Sequence, residues 1–307
     1  GGGAFLGGKS VTISGCIFAN NTASSIIPGY QGGGGLYTSY ATVTACTFIG
    51  NNSLKSSGGG VYAANDSTFV GCTFIGNTAV NGGGGLFAIS DAALDGCVFY
   101  ENEAATAGAL HGNHLLMTNC TVTGNVTHNA SSGAVESSYR SYIFHVTVTD
   151  NIGGGICGLN PGYSVSIYNC IVTENIDTGG SPMQVVGSMI NVSSLIEGQD
   201  GITHELVFGD NAFDILTGTY RVLEDGIAAY TATAITDAEI DSISDLSTTS
   251  LFQKFDVKSA LKNDQTGALR SDTEPTYGAV EAGITAEIEP IDTTTAVVSD
   301  NNPSMLR

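Results

Sequence analysis

One short pattern, Cys-x-Phe-x-x-Asn, recurs through the first 180 residues of this 307-residue chain. It reads Cys16/Phe18/Asn21, Cys46/Phe48/Asn51, Cys72/Phe74/Asn77 and Cys97/Phe99/Asn102. Weaker copies follow at Cys120/Val122/Asn125, Val146/Val148/Asn151 and Cys170/Val172/Asn175. Successive copies start 30, 26, 25, 23, 26 and 24 residues apart. A glycine run leading into apolar residues alternates with them, as in Gly35-Leu36-Tyr37, Gly60-Val61-Tyr62, Gly85-Leu86-Phe87 and Gly108-Ala109-Leu110. A unit of this length cannot bury an apolar face by itself. Stacking such units into a solenoid solves that problem, and the period therefore constrains the fold before any other feature does.

Alignment on the Cys position shows how one rung is built. Three residues before it stand Ile13, Val43, Phe69, Leu94, Met117, Ile143 and Ile167; two residues after it stand Phe18, Phe48, Phe74, Phe99, Val122, Val148 and Val172. Residues i and i+2 share a face of a strand, so Cys and Phe point the same way. The apolar position three earlier breaks that parity and requires a bend. The residue just before the Cys position supplies it: Gly15, Ala45, Gly71, Gly96, Asn119, His145 and Asn169. Gly and Asn enter the left-handed region most readily, and His is enriched there. Short strands joined by corners, with identical inward columns in successive turns, predict an all-β, right-handed parallel β-helix of the pectin-lyase-like kind.

The Asn column falls where the strand ends and predicts a corner stack of amides. Six of the seven cysteines share one inward column. Neighbours in a parallel stack lie about 4.8 Å apart, farther than a disulfide's Cβ atoms prefer, and they read as small apolar filling. No Cys-x-x-Cys pair starts a zinc site, and no metal or cofactor is expected.

Beside the glycine runs, two adjacent columns are both apolar, so one must face outward. Counted from the last glycine, the first holds Ala4, Leu36, Val61, Leu86, Ala109, Ala134 and Ile156. The second holds Phe5, Tyr37, Tyr62, Phe87, Leu110, Val135 and Cys157. The small, aliphatic column suits a crowded interior. Tyr37, Tyr62 and Phe87 are then an external aromatic stripe and the candidate binding residues, for a glycan or another surface protein, with packing under a loop as the bland alternative.

Composition narrows the partners. Glycine accounts for 42 residues and charged residues for 12% of the chain, with a net charge of −20. Residues 1–180 carry only three cations, Lys9, Lys55 and Arg140. A chain without a basic footprint is a poor ligand for nucleic acid or anionic lipid. No apolar run approaches the ~20 residues of a membrane-spanning helix.

The pairing of glycine-run and Phe-x-x-Asn elements resembles the repeats of the polymorphic outer membrane proteins and related bacterial surface β-helices. The likeness covers residues 1–180 and implies fold and surface location rather than an activity. The later order resembles the choice-of-anchor Q region that closes many bacterial extracellular β-helices. It rests on Asn169-Cys170-Ile171 with Asn175, Tyr220-Arg221-Val222, Asp264/Gly267/Arg270 and Gly278-Ala279-Val280-Glu281. Tyr277 and the stretch Gly226-Ile227-Ala228-Ala229-Tyr230 depart from that family's pattern. The organisation expected is a β-helix over 1–198, a C-terminal β cap over 199–284 and a linker or tail over 285–307. Arg270 with Asp264 or Glu281 reads as a structural ion pair of the cap.

Two functions remain open. The first is a secreted or cell-surface bacterial module for adhesion or assembly. The second is a polysaccharide lyase or glycoside hydrolase on the same fold, for which Glu101, Glu103, Glu136, Asp150 and Glu174 are the candidate carboxylates. His111 and His114 flank Gly112-Asn113 and read as exposed turn residues. A cleft with converging carboxyls discriminates between the two.

Overall fold

A computed structural model describes residues 2–24, 32–199, 208–214, 219–222, 232, 235–243, 251–271, 275 and 277–280. Its parallel strands wind into a coil with three walls, of 14, 8 and 5 strands. One turn runs through Leu36–Thr38, Ala41–Thr44, Thr47–Ile49 and Asn52–Ser53. The first wall has two halves, bridged where Leu86–Asp95 and Leu110–Thr118 run unbroken through the bend between them. Residues 181–196 add a further rung, with strands Val185–Gly187, Met189–Asn191 and Leu195–Ile196.

Register places the repeated columns on top of one another. Phe18, Phe48, Phe74, Phe99, Val122, Val148 and Val172 pair in succession, as do Ile13, Val43, Phe69, Leu94, Met117, Ile143 and Ile167. Both columns line the core. The four Phe rings stack with centroids 5.0, 5.0 and 4.5 Å apart, because a parallel ladder fixes identical side chains at the rung spacing. All seven residues of the expected bend take the left-handed conformation, with φ from 49° at Ala45 to 60° at Gly96. A second left-handed corner, one residue before each Asn, comprises Asn20, Gly50, Gly76, Glu101, Gly124, Asp150 and Glu174.

The Asn column forms a continuous hydrogen-bonded ladder. Asn51 Nδ2 and N both donate to Asn77 Oδ1, at 2.9 and 3.0 Å, while Asn51 Nδ2 also reaches the Phe18 carbonyl at 2.8 Å. The motif repeats from Asn21 to Asn175, where Gln184 takes the next place and accepts from Asn175 Nδ2 at 2.8 Å. From Asn51 to Asn175 the ladder is fully buried.

All seven cysteines are free thiols, and only Cys16 is exposed. Burial raises the thiol pKa values of Cys46 and Cys97 and takes Cys170 up to about 11; Cys72 is raised by its hydrogen bond with Cys97 and by burial. The thiolate is the reactive form, so these positions resist alkylation. An aromatic disulfide reagent added to native protein should therefore label Cys16 quickly and the remaining six only on unfolding. Rapid release of more than one equivalent would show that the column is open.

From residue 235 onward, the described chain lies along the flank of the later rungs. Ile240, Leu251, Phe252 and Val257 pack on the outward side chains Ala93, Leu116, Tyr142 and Phe144 in a second core. The helix Asp237–Ser242 starts at Thr236 with a reciprocal capping box to Glu239. Arg270 is buried and donates from Nη2 to Asn119 Oδ1 at 3.1 Å and to the carbonyls of Gly278 and Ala279 at 2.8 and 2.9 Å. Asp264 closes its own turn, accepting from Thr266 N and Ala268 N at 2.8 and 3.0 Å. Glu281 and residues 285–307 lie outside the described residues, as do most positions of 199–231.

This packing accounts for a change along the bend column. Gly15, Ala45 and Gly71 stand where the corner is exposed; Asn119, His145 and Asn169 stand where it is buried. Asn119 Nδ2 donates to the Ala260 carbonyl at 2.8 Å, and the side chains of Asn169 and His145 meet each other through Nδ2 and Nε2 at 3.3 Å. A covered corner needs side chains that can satisfy buried polar groups, whereas a bare one needs only the left-handed turn.

Candidate functional site

The register moves the outer column by one residue at its later rungs. Phe87 pairs with His111, His111 with Glu136 and Glu136 with Cys157. Leu110 and Val135, expected in that column, belong to the core. The slip arises because Ala109 and Ala134 occupy the place of the last glycine, so counting from the glycine misplaces those two rungs by one residue, while Ile156 and Cys157, counted from Gly155, keep their places. In a strand, one residue exchanges inside for outside.

The corrected column is a row of five stacked rings followed by polar groups. Phe5, Tyr37, Tyr62, Phe87 and His111 have successive centroids 4.4, 5.6, 5.4 and 4.5 Å apart, and none of them belongs to the core cluster. The rings lie against the glycine turns. A Cβ on Gly32 would stand 2.6 Å from Tyr62 Cδ2, and one on Gly83 would stand 2.8 Å from Phe87 Cβ. Close approach of backbone to ring explains why glycine runs accompany these aromatics. Tyr62 is consequently only 5% exposed, and burial together with Tyr37 pushes its phenol pKa up.

His111 and His114 lie within the strand Leu110–Thr118, not in a turn. Gly112 is there for packing, since a Cβ would strike Leu115 Cδ2 at 2.2 Å. Each histidine meets a carboxylate one rung away: His111 Nδ1 and Glu136 Oε2 at 3.1 Å, His114 Nδ1 and Asp91 Oδ1 at 2.8 Å. Glu136 also accepts from Ser132 Oγ at 2.7 Å. Burial and the nearby Glu136 push the Cys157 thiol up to about 12.

The candidate carboxylates occupy separate places. Glu101, Asp150 and Glu174 sit on the second left-handed corner, Glu103 is in the third wall beside His128, and Glu136 is buried in the outer column. Asp150 and Glu174 are on successive rungs of that corner, but a corner projects outward and does not enclose a substrate. Catalytic carboxylates need a concave site that excludes water.

A second aromatic group stands on the same wall. His114 and Tyr139 stack with centroids 5.0 Å apart and planes at 22°, whereas Tyr139 and Tyr163 meet at 5.2 Å and 75°. Tyr139 is 37% and Tyr163 41% exposed. Tyr139 and Tyr163 stand just outside the strands of their rungs, each two residues before the register partners Ser141 and Val165.

Two cavities lie where the C-terminal segment meets the coil. One of about 210 Å³ is bounded by Tyr168, Val192, Ile235 and Ile243. The other, of about 100 Å³, is lined by His145, Asp237, Lys258, Lys262 and Arg270. Lys258 Nζ is already engaged with Asp241 at 2.8 Å. Among the described residues, no group of three or more His, Cys, Asp or Glu is placed to hold a metal ion. No described helix is long and apolar enough to cross a membrane.

The family described as right handed beta helix region matches residues 1–151. The coil is a right-handed parallel β-helix. Neither the curated proteins nor the solved structures gave a match to this β-helix.

Proposed function

We propose that this β-helix is an extracellular or cell-surface bacterial module that works by binding, in adhesion or surface assembly, and that its ligand is a glycan or another surface protein. The supporting observation is the outer column itself. Tyr37, Tyr62 and Phe87 form a contiguous ring row outside the core. Tyr62 at the centre is covered, so the accessible part of the row is the half-buried Tyr37 and Phe87, and neighbouring accessible apolar groups carry more meaning than scattered ones. The likeness to polymorphic outer membrane protein repeats and to the choice-of-anchor Q region supports the surface location. The acidic surface disfavours polyanions and nucleic acid. Tyr37 and Phe87 contribute ring edges and, for Tyr37, a hydroxyl.

The dispersal of Glu101, Glu103, Glu136, Asp150 and Glu174 favours binding over glycan cleavage. Purified protein tested on a glycan panel should bind without turnover, and the Tyr37→Ala/Phe87→Ala double variant should bind at least roughly tenfold more weakly. Unchanged binding by that variant removes the column from the site. Release of product from any glycan would overturn the non-catalytic reading.

A further inference from the structure

Rings stacked in a ladder conceal the surface with which a sugar associates. A pyranose presents its C–H patch to the negatively polarised face of an aromatic ring, so the face must be open. Tyr37 lies between Phe5 and Tyr62, Tyr62 between Tyr37 and Phe87, and Phe87 between Tyr62 and His111, with interplanar angles of 7°, 7°, 25° and 10° along the row. Each of these three rings has a neighbour over both faces. The regular ladder offers edges only.

The same wall departs from this arrangement at one point. Tyr139 stacks on His114, so its faces look along the coil axis toward the rungs above and below. Tyr163 belongs to the next rung and meets Tyr139 at 75°. Its plane is therefore turned out of the ladder, with its edge against Tyr139 and its faces no longer directed at neighbouring rungs. Tyr163 is 41% exposed, and Leu159 beside it is 44% exposed. The Tyr163 backbone N–H donates to the Asn160 carbonyl at 3.0 Å, and Asn160 Oδ1 accepts from Gly162 N at 3.0 Å. These bonds shape the short loop that carries the turned ring.

We propose that Tyr163, set edge-on against Tyr139, is the sugar-stacking platform of this wall and takes the pyranose ring of an uncharged glycan. The inference rests on the binding function proposed above and specifies where and with what chemistry it acts. An uncharged polymer is the class that fits, because a chain of net charge −20 with three cations in residues 1–180 repels uronate and sulfate chains.

Affinity electrophoresis of the purified chain through gels containing hydroxyethylcellulose, galactomannan, xylan or polygalacturonate tests this. At least one of the three neutral polymers should retard the wild type. Tyr163→Ala should weaken that retardation roughly tenfold, while Tyr163→Phe, which keeps the ring, should stay within about twofold. Tyr163 is 41% exposed, and thermal melting should confirm that the alanine variant stays folded. Equal retardation of wild type and Tyr163→Ala overturns the platform; if Tyr37→Ala is weakened in the same gels, the wall remains the binding surface. Retardation by polygalacturonate alone overturns the uncharged class. Failure of every polymer to retard the wild type overturns the glycan reading itself, and the platform with it.

Discussion

Replacing Asn102 by alanine should destabilise the coil by about 4 kcal/mol, because two buried donors lose their acceptor at roughly 1–3 kcal/mol each. Asn102 Oδ1 accepts from Asn77 N at 3.0 Å and Asn77 Nδ2 at 2.9 Å. Its own Nδ2 donates to the Phe74 carbonyl and to Asn125 Oδ1, both at 2.9 Å. The side chain is fully buried, so water cannot replace these partners. Asn21 provides an internal control. It is partly exposed and donates down the ladder at 2.9 Å, and Asn21→Ala should cost about 1 kcal/mol. Denaturant melts measure both. Because rungs contact only their neighbours, the central variant should also reduce cooperativity and split the transition. A loss for Asn102→Ala no larger than that for Asn21→Ala would mean that the ladder contributes little.

Arg270→Ala should have a comparable effect, about 3–5 kcal/mol, but on a different part of the molecule. The guanidinium ties Asn119, Gly278 and Ala279 together at 3.1, 2.8 and 2.9 Å, and Asn119 in turn holds the Ala260 carbonyl and Asp95 Oδ1. Without it the described residues of 251–280 should stay docked less tightly and open more often, exposing Leu116, Tyr142 and Phe144 in the opened form. The ladder, on another corner, should keep the coil wound. Limited proteolysis should cut the variant first within 251–280 while leaving the rungs intact, and dye binding should report the uncovered apolar surface. Arg270→Lys should not rescue, since an ammonium cannot serve three acceptors in a planar fork.

A pH dependence accompanies this effect. Burial pushes the Asp95 carboxyl pKa up, against the lowering influence of Thr118, Asn119 and Arg270. A raised folded-state carboxyl contributes stability that is present below its unfolded pKa and lost as pH rises through the folded value. Removing Arg270 raises that carboxyl further. The deficit of Arg270→Ala should thus be larger near neutral pH than around pH 4. Rapid cleavage outside 251–280, or a deficit that grows in acid, would contradict this account.

Much of the architecture was legible in the residues. The bend before each Cys, the inward Phe column and the Asn stack each follow from parity and from the conformations available to Gly and Asn, and the structure reproduces all three. The ladder's extension to Gln184 was not legible, because a different residue type enters there, well short of a full repeat after Asn175. The outer column was legible only as far as Phe87. Past it, Ala109 and Ala134 replace the glycines used for counting, and only backbone pairing shows that His111 and Glu136 continue the row to Cys157, which the count from Gly155 places there. The histidines were misread for a related reason: Gly112-Asn113 has turn chemistry, yet Leu115 packing requires the glycine within a strand.

The sequence by itself determined the coil, since each rung repeats the same local chemistry and a periodic pattern states its own neighbours. What covers the coil required the tertiary structure. Docking of Ile240, Leu251, Phe252 and Val257 on Ala93, Leu116, Tyr142 and Phe144 joins positions more than 90 residues apart that share no repeat. The angle of each ring was likewise undetermined until packing set it. Tyr62 and Tyr163 are both tyrosines on one wall; one is buried in the ring ladder close to Gly32 and the other meets Tyr139 at 75°, because the packing around each leaves a different space for the same side chain.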